Sequence, residues 1–304
     1  MKKIIVTGAT GFIGRHALPL LKQAGYEIHA IIPYQIPNLD PDVAWYCLDL
    51  LNSDKLFAVL KEIAPTHLLH LAWYAVPGKF WTSAENLCWV EASLKLVRAF
   101  KEAGGQKIVA AGTCAEYDWN YALLSEKNTP FNPNTLYGAS KRALSLILTK
   151  YCEQMGLDFS WGYIFYLFGS HEYPDRFIPQ VIRALLENRE LPCSHGNQKR
   201  DFLHVVDVAS AFVSLLESSS QGSFNIGSGR GISLKEVACK IALKMEKPHL
   251  LQFNAIKALV NDPPELVADI SHISQEIGWR PQIDLQDGLN ETIQWWQGTL
   301  KNGS

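Results

Sequence analysis

Two side chains in this sequence are spaced for proton transfer. In Tyr137-Gly138-Ala139-Ser140-Lys141 a phenol and an amine stand four residues apart, and of the 11 tyrosines only Tyr137 has a lysine at that distance. On a helix, positions i and i+4 share a face. A free phenol titrates near ~10, so exchanging a proton with a substrate hydroxyl at neutral pH requires stabilising its anion. Lowering its pKa by about three units takes roughly 4 kcal/mol, which an adjacent ammonium and a further positive charge can supply in a dry site. An ordinary pair on a helix surface is the alternative role. Thr113 closes an apolar run and is placed to hold a substrate oxygen beside Tyr137.

Residues 7–14 read Thr-Gly-Ala-Thr-Gly-Phe-Ile-Gly, with glycines at 8, 11 and 14 directly after an apolar strand and opening a helix. Gly8 allows a tight turn, Gly11 lets backbone approach a pyrophosphate, and Gly14 lets helix and strand pack closely. Backbone N–H groups and the helix dipole at such an N-terminus favour phosphate charge. The expected contacts to a nicotinamide dinucleotide are Gly8, Thr10, Gly11, Phe12, Ile13 and Gly14. The alternative is a purely structural glycine turn. The choice between NAD and NADP stays open. The end of the second strand, where an acid meets a ribose 2′-OH or an arginine a 2′-phosphate, reads Ile31-Ile32-Pro33-Tyr34. Arg15 can reach a 2′-phosphate or stay solvated. Asp49, with Leu50, approaches the adenine end or merely forms a turn.

The elements that position these residues are legible. Ile4–Thr7, Glu27–Ile32, Val43–Leu48, His67–Ala72, Lys107–Ala111 and Asp158–Phe165 read as strands apolar on both faces. Helical stretches lie between them: Ser53–Ile63, Glu85–Ala103, and Thr135 to Gln154, which Pro133 precedes and Gly156 follows. The first helix ends at Gly25 and Pro65 blocks continuation of the second. The alternation predicts an α/β fold, a Rossmann-type doubly wound parallel sheet, over 1–168, with 203–218 packing back onto it. Residues 169–304 form a smaller, partly discontinuous substrate-binding region.

Composition excludes other classes. With 47% hydrophobic and 19% charged residues the chain is globular. A net charge of -2 offers no basic field for nucleic acid or an anionic membrane. The apolar run after Lys2-Lys3 is too short for a signal peptide, and no run of about 18 apolar residues occurs. Cysteines at 47, 88, 114, 152, 193 and 239 form no C-x-x-C pair, so no metal site is expected and free thiols in a cytoplasmic protein are.

Taken together, Thr7–Gly14, His70-Leu71-Ala72, Thr113, Tyr137–Lys141, Arg200–Asp207 and Gly278-Trp279-Arg280-Pro281 resemble the extended short-chain dehydrogenases/reductases of the NAD-dependent epimerase/dehydratase type. The resemblance implies NAD or NADP as cofactor, touched also by Leu71, Ala72, Tyr137 and Lys141. It implies a nucleotide-diphosphate sugar as substrate, with Tyr137 as acid/base, Lys141 on the nicotinamide ribose and Thr113 orienting the substrate. It also suggests Arg200 for the diphosphate, in keeping with the match of a guanidinium fork to phosphate oxygens. The alternative for Arg200 is an ion pair with Asp201 or Asp207. A homodimer through Glu85–Ala103 and Thr135–Gln154 is a further implication.

Departures narrow the reaction. The Asp-Glu pair that sugar 4,6-dehydratases of this family carry after the threonine is here Cys114-Ala115, and on an extended segment Glu116 points the other way. The asparagine usual in the sixth strand is Tyr166, and the arginine expected before Ala268-Asp269 falls near Leu259 or Val260. Arg176 and Arg183 can compensate or stay solvated, with Arg176 the expected substrate contact. Trp73, Tyr74, Phe80 and Trp81 line a pocket or a core. The expectation is a 4-ketoreductase, with a 4-epimerase that retains its NAD as close rival. A non-catalytic dinucleotide-binding scaffold is the distant alternative.

Overall fold

The computed structural model describes residues 2–258, 260 and 262–302. Leu259, one of the two positions considered for the missing arginine, lies outside them; Val260 is exposed. Along the chain run β1 (Lys2–Thr7), α1 (Gly14–Gln23), β2 (Tyr26–Ile32), β3 (Ala44–Cys47), α2 (Leu56–Ile63), β4 (His67–His70), α3 (Glu85–Glu102) and β5 (Lys107–Thr113). Then come β6 (Leu123–Leu124), α4 (Leu136–Met155), β7 (Asp158–Ile164), β8 (Tyr166–Phe168), α5 (Phe177–Leu186), β9 (Leu191–Pro192) and β10 (Lys199–His204). The rest is α6 (Val205–Glu217), β11 (Gly222–Ile226), β12 (Gly231–Ser233), α7 (Leu234–Lys244), β13 (Leu251–Gln252), β14 (Glu265–Ala268), α8 (Ser271–Ile277) and α9 (Leu285–Asn302).

Seven strands form one parallel sheet in the order β11-β7-β5-β4-β1-β2-β3. Its inner strands are largely apolar on both faces because both faces are covered, while the edge strand β3 is partly exposed. Ile5, Leu68 and Ile108 enter a core with α2, α3 and α4, while Ile4, Val6 and Val109 enter another with α1 and α6. Each such side chain contributes about 1.5–3 kcal/mol on burial. Strand order reverses between β1 and β4, and a crevice outside the carboxyl ends of the strands opens at such a switch point. Thr7, His70 and Thr113 end the three strands there.

The second sheet, β12-β10-β14-β6 with β8 on β10, carries a third core with α5, α7 and α9. The edge strand β11 lies within the stretch read from sequence as part of the smaller region, yet it pairs in parallel with β7. A five-residue strand after a long irregular stretch gives little pattern, and its place is set by pairing. All six cysteines are free. Among the described residues no helix is long and apolar enough to cross a membrane.

Candidate active site

The glycine turn joins β1 to α1. Gly8 has φ +72°, and a Cβ there would stand 2.8 Å from the Ala72 amide nitrogen. A Cβ on Gly14 would stand 2.7 Å from the Ala9 Cα, so the helix approaches the turn as closely as backbone allows. Gly11 N–H donates to Gly8 O at 3.0 Å and closes the turn. This cradle, too narrow for side chains and ending on a helix N-terminus, fits a dinucleotide pyrophosphate.

Arg15 folds back over that turn. Its guanidinium donates to Thr10 O at 2.7 Å, to Gly11 O at 3.3 Å and to His171 Nδ1 at 2.7 Å. Beside it His16 Nε2 donates to Ser170 O at 3.2 Å. The loop after β8 is thus tied to the glycine turn, a contact nothing in the local sequence announces. Thr10, Phe12 and Ile13 are partly exposed on the turn. Asp49 accepts from Leu51 N–H at 3.0 Å and from Asn52 Nδ2 at 3.1 Å, the turn-forming role, and Leu50 is buried next to it.

Across the switch point a buried chain of hydrogen bonds runs from β1 to α3. The Ala72 N–H donates to Thr7 Oγ1 at 3.3 Å, Thr7 Oγ1 donates to His70 Nδ1 at 2.7 Å, and His70 Nε2 donates to Ser93 Oγ at 2.9 Å. The Ser93 hydroxyl donates to Trp89 O at 2.6 Å. That sequence of donors fixes His70 as the neutral Nε2–H tautomer. Burial, with the nearby Lys141 charge, pushes it down to about 3. The chain holds Leu71 and Ala72 against the turn.

Thr135 caps α4, accepting from Gly138 N–H at 3.1 Å, and Gly156 ends it with φ 62°. In the first turn of α4, Tyr137 donates its backbone N–H to Trp81 O at 3.1 Å. Its ring lies 4.8 Å from Phe80 and 5.8 Å from Trp81. Lys141, buried on the same face, donates to Ala111 O at 2.8 Å, with its Nζ 3.7 Å from the centroid of Trp73. Trp73 is fixed in turn by donating to Asn86 Oδ1 at 2.9 Å. The aromatic residues after β4 therefore wall the site. The Tyr137 and Thr113 side chains bond to one another, and Lys141 lies one turn further along the same helix face.

The electrostatics differ from the expectation. Burial pushes the Tyr137 phenol up, more than its bond to Thr113 and the charge of Arg176 pull it down. Lys141 sits at a backbone carbonyl and in its aromatic cradle rather than on the phenol, and burial pulls it down. Tyr137 thus stands as a protonated donor.

Glu116 also corrects the reading. Residues Cys114–Glu116 form a 3-10 turn instead of an extended segment, and Thr113 caps it. Glu116 folds back, accepting from Thr113 N–H at 3.0 Å and Trp161 Nε1–H at 3.1 Å. Cys114 is buried and its thiol is pushed up to about 12.

Arg200 is buried, but its partner is neither Asp201 nor Asp207. It donates to Asp262 at 2.5 Å, to Pro263 O at 2.9 Å and to Lys199 O at 2.8 Å, and lies 5.4 Å from the Tyr166 ring. Asp201 is taken up by Ser228, Gly229 and Ala268, and Asp207 by Gln282 and Ile283. Tyr166 thus replaces the family's asparagine with a ring beneath the guanidinium. Arg176 precedes α5 and lies 5.2 Å from the Phe80 ring, on the Tyr137 side of the cleft. Arg183 turns away, to Glu187 at 3.8 Å and the Trp296 ring. Glu172, close to Arg176, was not marked by any motif; it is buried and pushed up to about 8.

A parallel sheet with a glycine turn at its switch point and a threonine, tyrosine and lysine at its carboxyl edge defines a dinucleotide-dependent enzyme of the short-chain dehydrogenase/reductase class. Comparison with known proteins agrees. The description "NAD dependent epimerase/dehydratase family" matches residues 4–227. The chain is 27% identical over 305 residues to the UDP-glucose 4-epimerase of Corynebacterium glutamicum, covering 92% of this chain and 91% of that protein. It is 26% identical over 329 residues to the dTDP-D-glucose 4,6-dehydratase of Mus musculus, covering 99% and 90%. The solved structure of MoeE5 in complex with UDP-glucuronic acid and NAD superposes with a TM-score of 0.86 at 28% identity, over 98% of this chain and 99% of that one. The chain belongs to the NAD dependent epimerase/dehydratase family, NAD-dependent enzymes of the extended short-chain dehydrogenase/reductase type that modify nucleotide sugars.

Proposed function

We propose that the protein reduces the keto group, at C4, of a nucleotide-diphosphate sugar. The glycine turn from Gly8 to Gly14 would hold NADH, which would supply the hydride. Tyr137 donates its proton to the keto oxygen, and burial, by keeping the phenol protonated, suits it to that step. Thr113 accepts from Ala115 N–H at 3.2 Å and its hydroxyl bonds the phenol, so the keto oxygen would sit against both hydroxyls. Lys141 bears on the ribose and on the phenolate left behind. Arg176 reaches the sugar side of the cleft and Arg200 the diphosphate, through N–H groups that Asp262 and the two carbonyls do not occupy.

The observation that carries this reading is the residue pair after Thr113. Cys114 is a buried thiol held neutral and Ala115 has no proton to move, so elimination of water lacks its acid and base. We take NAD over NADP because Arg15 is engaged by Thr10, Gly11 and His171, and because MoeE5 is described with NAD. Epimerisation at C4 is the second reading, since it uses the same three side chains. The deciding experiment follows absorbance of reduced cofactor with candidate keto-sugars. Stoichiometric consumption supports the reductase, and interconversion of epimers with none consumed overturns it.

The large domain in this proposal comprises 1–168 with α6 and β11, and the remainder carries the substrate. A homodimer through α3 and α4 is supported by Leu87, Leu146 and Ile147, exposed on those helices. Sedimentation at monomer mass would remove the dimer.

A further inference from the structure

Glu116 is completely buried at the carboxyl edge of β5 and takes no part in the chemistry above. One carboxylate oxygen accepts from Thr113 N–H and from the Trp161 indole, while the other, Oε2, is buried with no hydrogen-bond partner among the described residues. The same indole faces Lys141, whose Nζ lies 5.7 Å from the Trp161 centroid. A carboxylate thus bonds the edge of the same buried ring that the ammonium faces, with both groups shielded from water. A cap for Thr113 needs an acceptor but no charge, and an amide would serve. The unpartnered oxygen is what a cap alone leaves unexplained, because burying an unpaired carboxylate oxygen is costly.

We propose that Glu116 is a positioning residue for the reaction, holding the Thr113 backbone with one oxygen and, through Trp161, keeping Lys141 charged beside Tyr137. This rests on the reading of Tyr137 as the acid/base. Burial favours neutral Lys141, and the charge of Glu116 is what opposes it. Burial likewise raises Glu116, and the charges of Lys141 and Arg142 oppose that. The other groups facing the pair are neutral at pH 7: Cys114, Tyr117, Tyr137 and Tyr163 are pushed up, and His70, facing Lys141 from β4, is pushed down. The balance of charge at Lys141 is therefore set by Glu116.

The test is Glu116→Gln, which keeps an acceptor for both N–H groups and removes the charge. In protein carbon-13-labelled at lysine Cε, with Lys141 assigned by its loss in Lys141→Met, the Lys141 titration is expected to fall by about one unit or more. The basic limb of kcat/KM for reduction should move down with it, because the ammonium is lost at lower pH. Unchanged titration and an unchanged limb would leave Glu116 as a cap alone and overturn the inference. Tyr137→Phe, run in parallel, separates the two claims: if it stays active the acid/base reading falls, whatever Glu116→Gln does. Should thermal melts show Glu116→Gln unfolded, the Glu116 carboxyl is titrated by carbon-13 shift in wild type and in Lys141→Met. A rise on losing Lys141 supports the coupling, and no change overturns it.

Discussion

Asp262 accepts a hydrogen bond from Arg200 at 2.5 Å across 62 residues of chain, tying the segment before β14 to β10. The guanidinium side chain is 4% exposed and the carboxylate 22%, so the pair is shielded but not sealed. Removing one partner of a buried pair leaves the other uncompensated. Asp262→Asn should cost about 2–3 kcal/mol, less than full burial would give because Asp262 keeps some solvent. Arg200→Met should raise KM for a nucleotide sugar about 10- to 100-fold with little change in kcat, the loss of a charged hydrogen bond. Denaturant melts and steady-state kinetics check the two. An unchanged KM would remove Arg200 from the substrate site.

Tyr137→Phe removes one hydroxyl from a packed aromatic wall. The ring contacts with Phe80 and Trp81 persist, so the fold and NAD affinity should hold. The turnover number should fall about 10²- to 10⁴-fold, the usual worth of a positioned proton donor. Calorimetry for NAD and rate assays on the same preparation separate binding from chemistry. Activity equal to wild type would refute the role of the phenol.

Gly14→Ala tests the cradle by volume alone. Its Cβ would enter to 2.7 Å from the Ala9 Cα, and neither backbone segment can yield freely. The expected result is a loss of about 3 kcal/mol or more, as in overpacked interiors, and loss of NAD binding. A variant that melts and titrates with NAD as wild type does would show that the turn is not the pyrophosphate site.

Glu172 makes stability depend on pH. Burial pushes its carboxyl up to about 8 from an ordinary 4.5, so the folded chain holds its proton more tightly than the unfolded chain does. A raised pKa contributes stability fully present below the unfolded value and lost as pH rises through the folded one. Between pH 4.5 and 7 this one group should cost at most about 3 kcal/mol. His70 acts in the opposite sense: its pKa is depressed from 6.5 to about 3, so its contribution is present above 6.5 and lost as pH falls. Melting curves of wild type and Glu172→Gln across this window should converge at low pH and separate above it. Parallel curves would show that Glu172 does not carry the effect.

The parallel sheet was legible because the middles of strands covered on both faces must be apolar, as Ile4–Val6 of β1 and Ile108–Ala111 of β5 are. The start and end of α4 were legible because Thr135 and Gly156 satisfy local backbone groups that any helix leaves open. The glycine turn and the Tyr137–Lys141 spacing were legible for the same reason, since their geometry spans eight residues or fewer. The tertiary structure alone decided what distant residues do to one another. Asp262 and not Asp201 meets Arg200, and His171 holds Arg15 over the turn. Ala111 and Trp73 take up the Lys141 amine, and burial raises the Tyr137 phenol, effects that the spacing does not carry. A pKa follows from desolvation and from charges brought together by folding, neither of which is a property of spacing along the chain. The residue types at Thr113, Tyr137 and Lys141 are written in the sequence, and their protonation is decided by what packs around them.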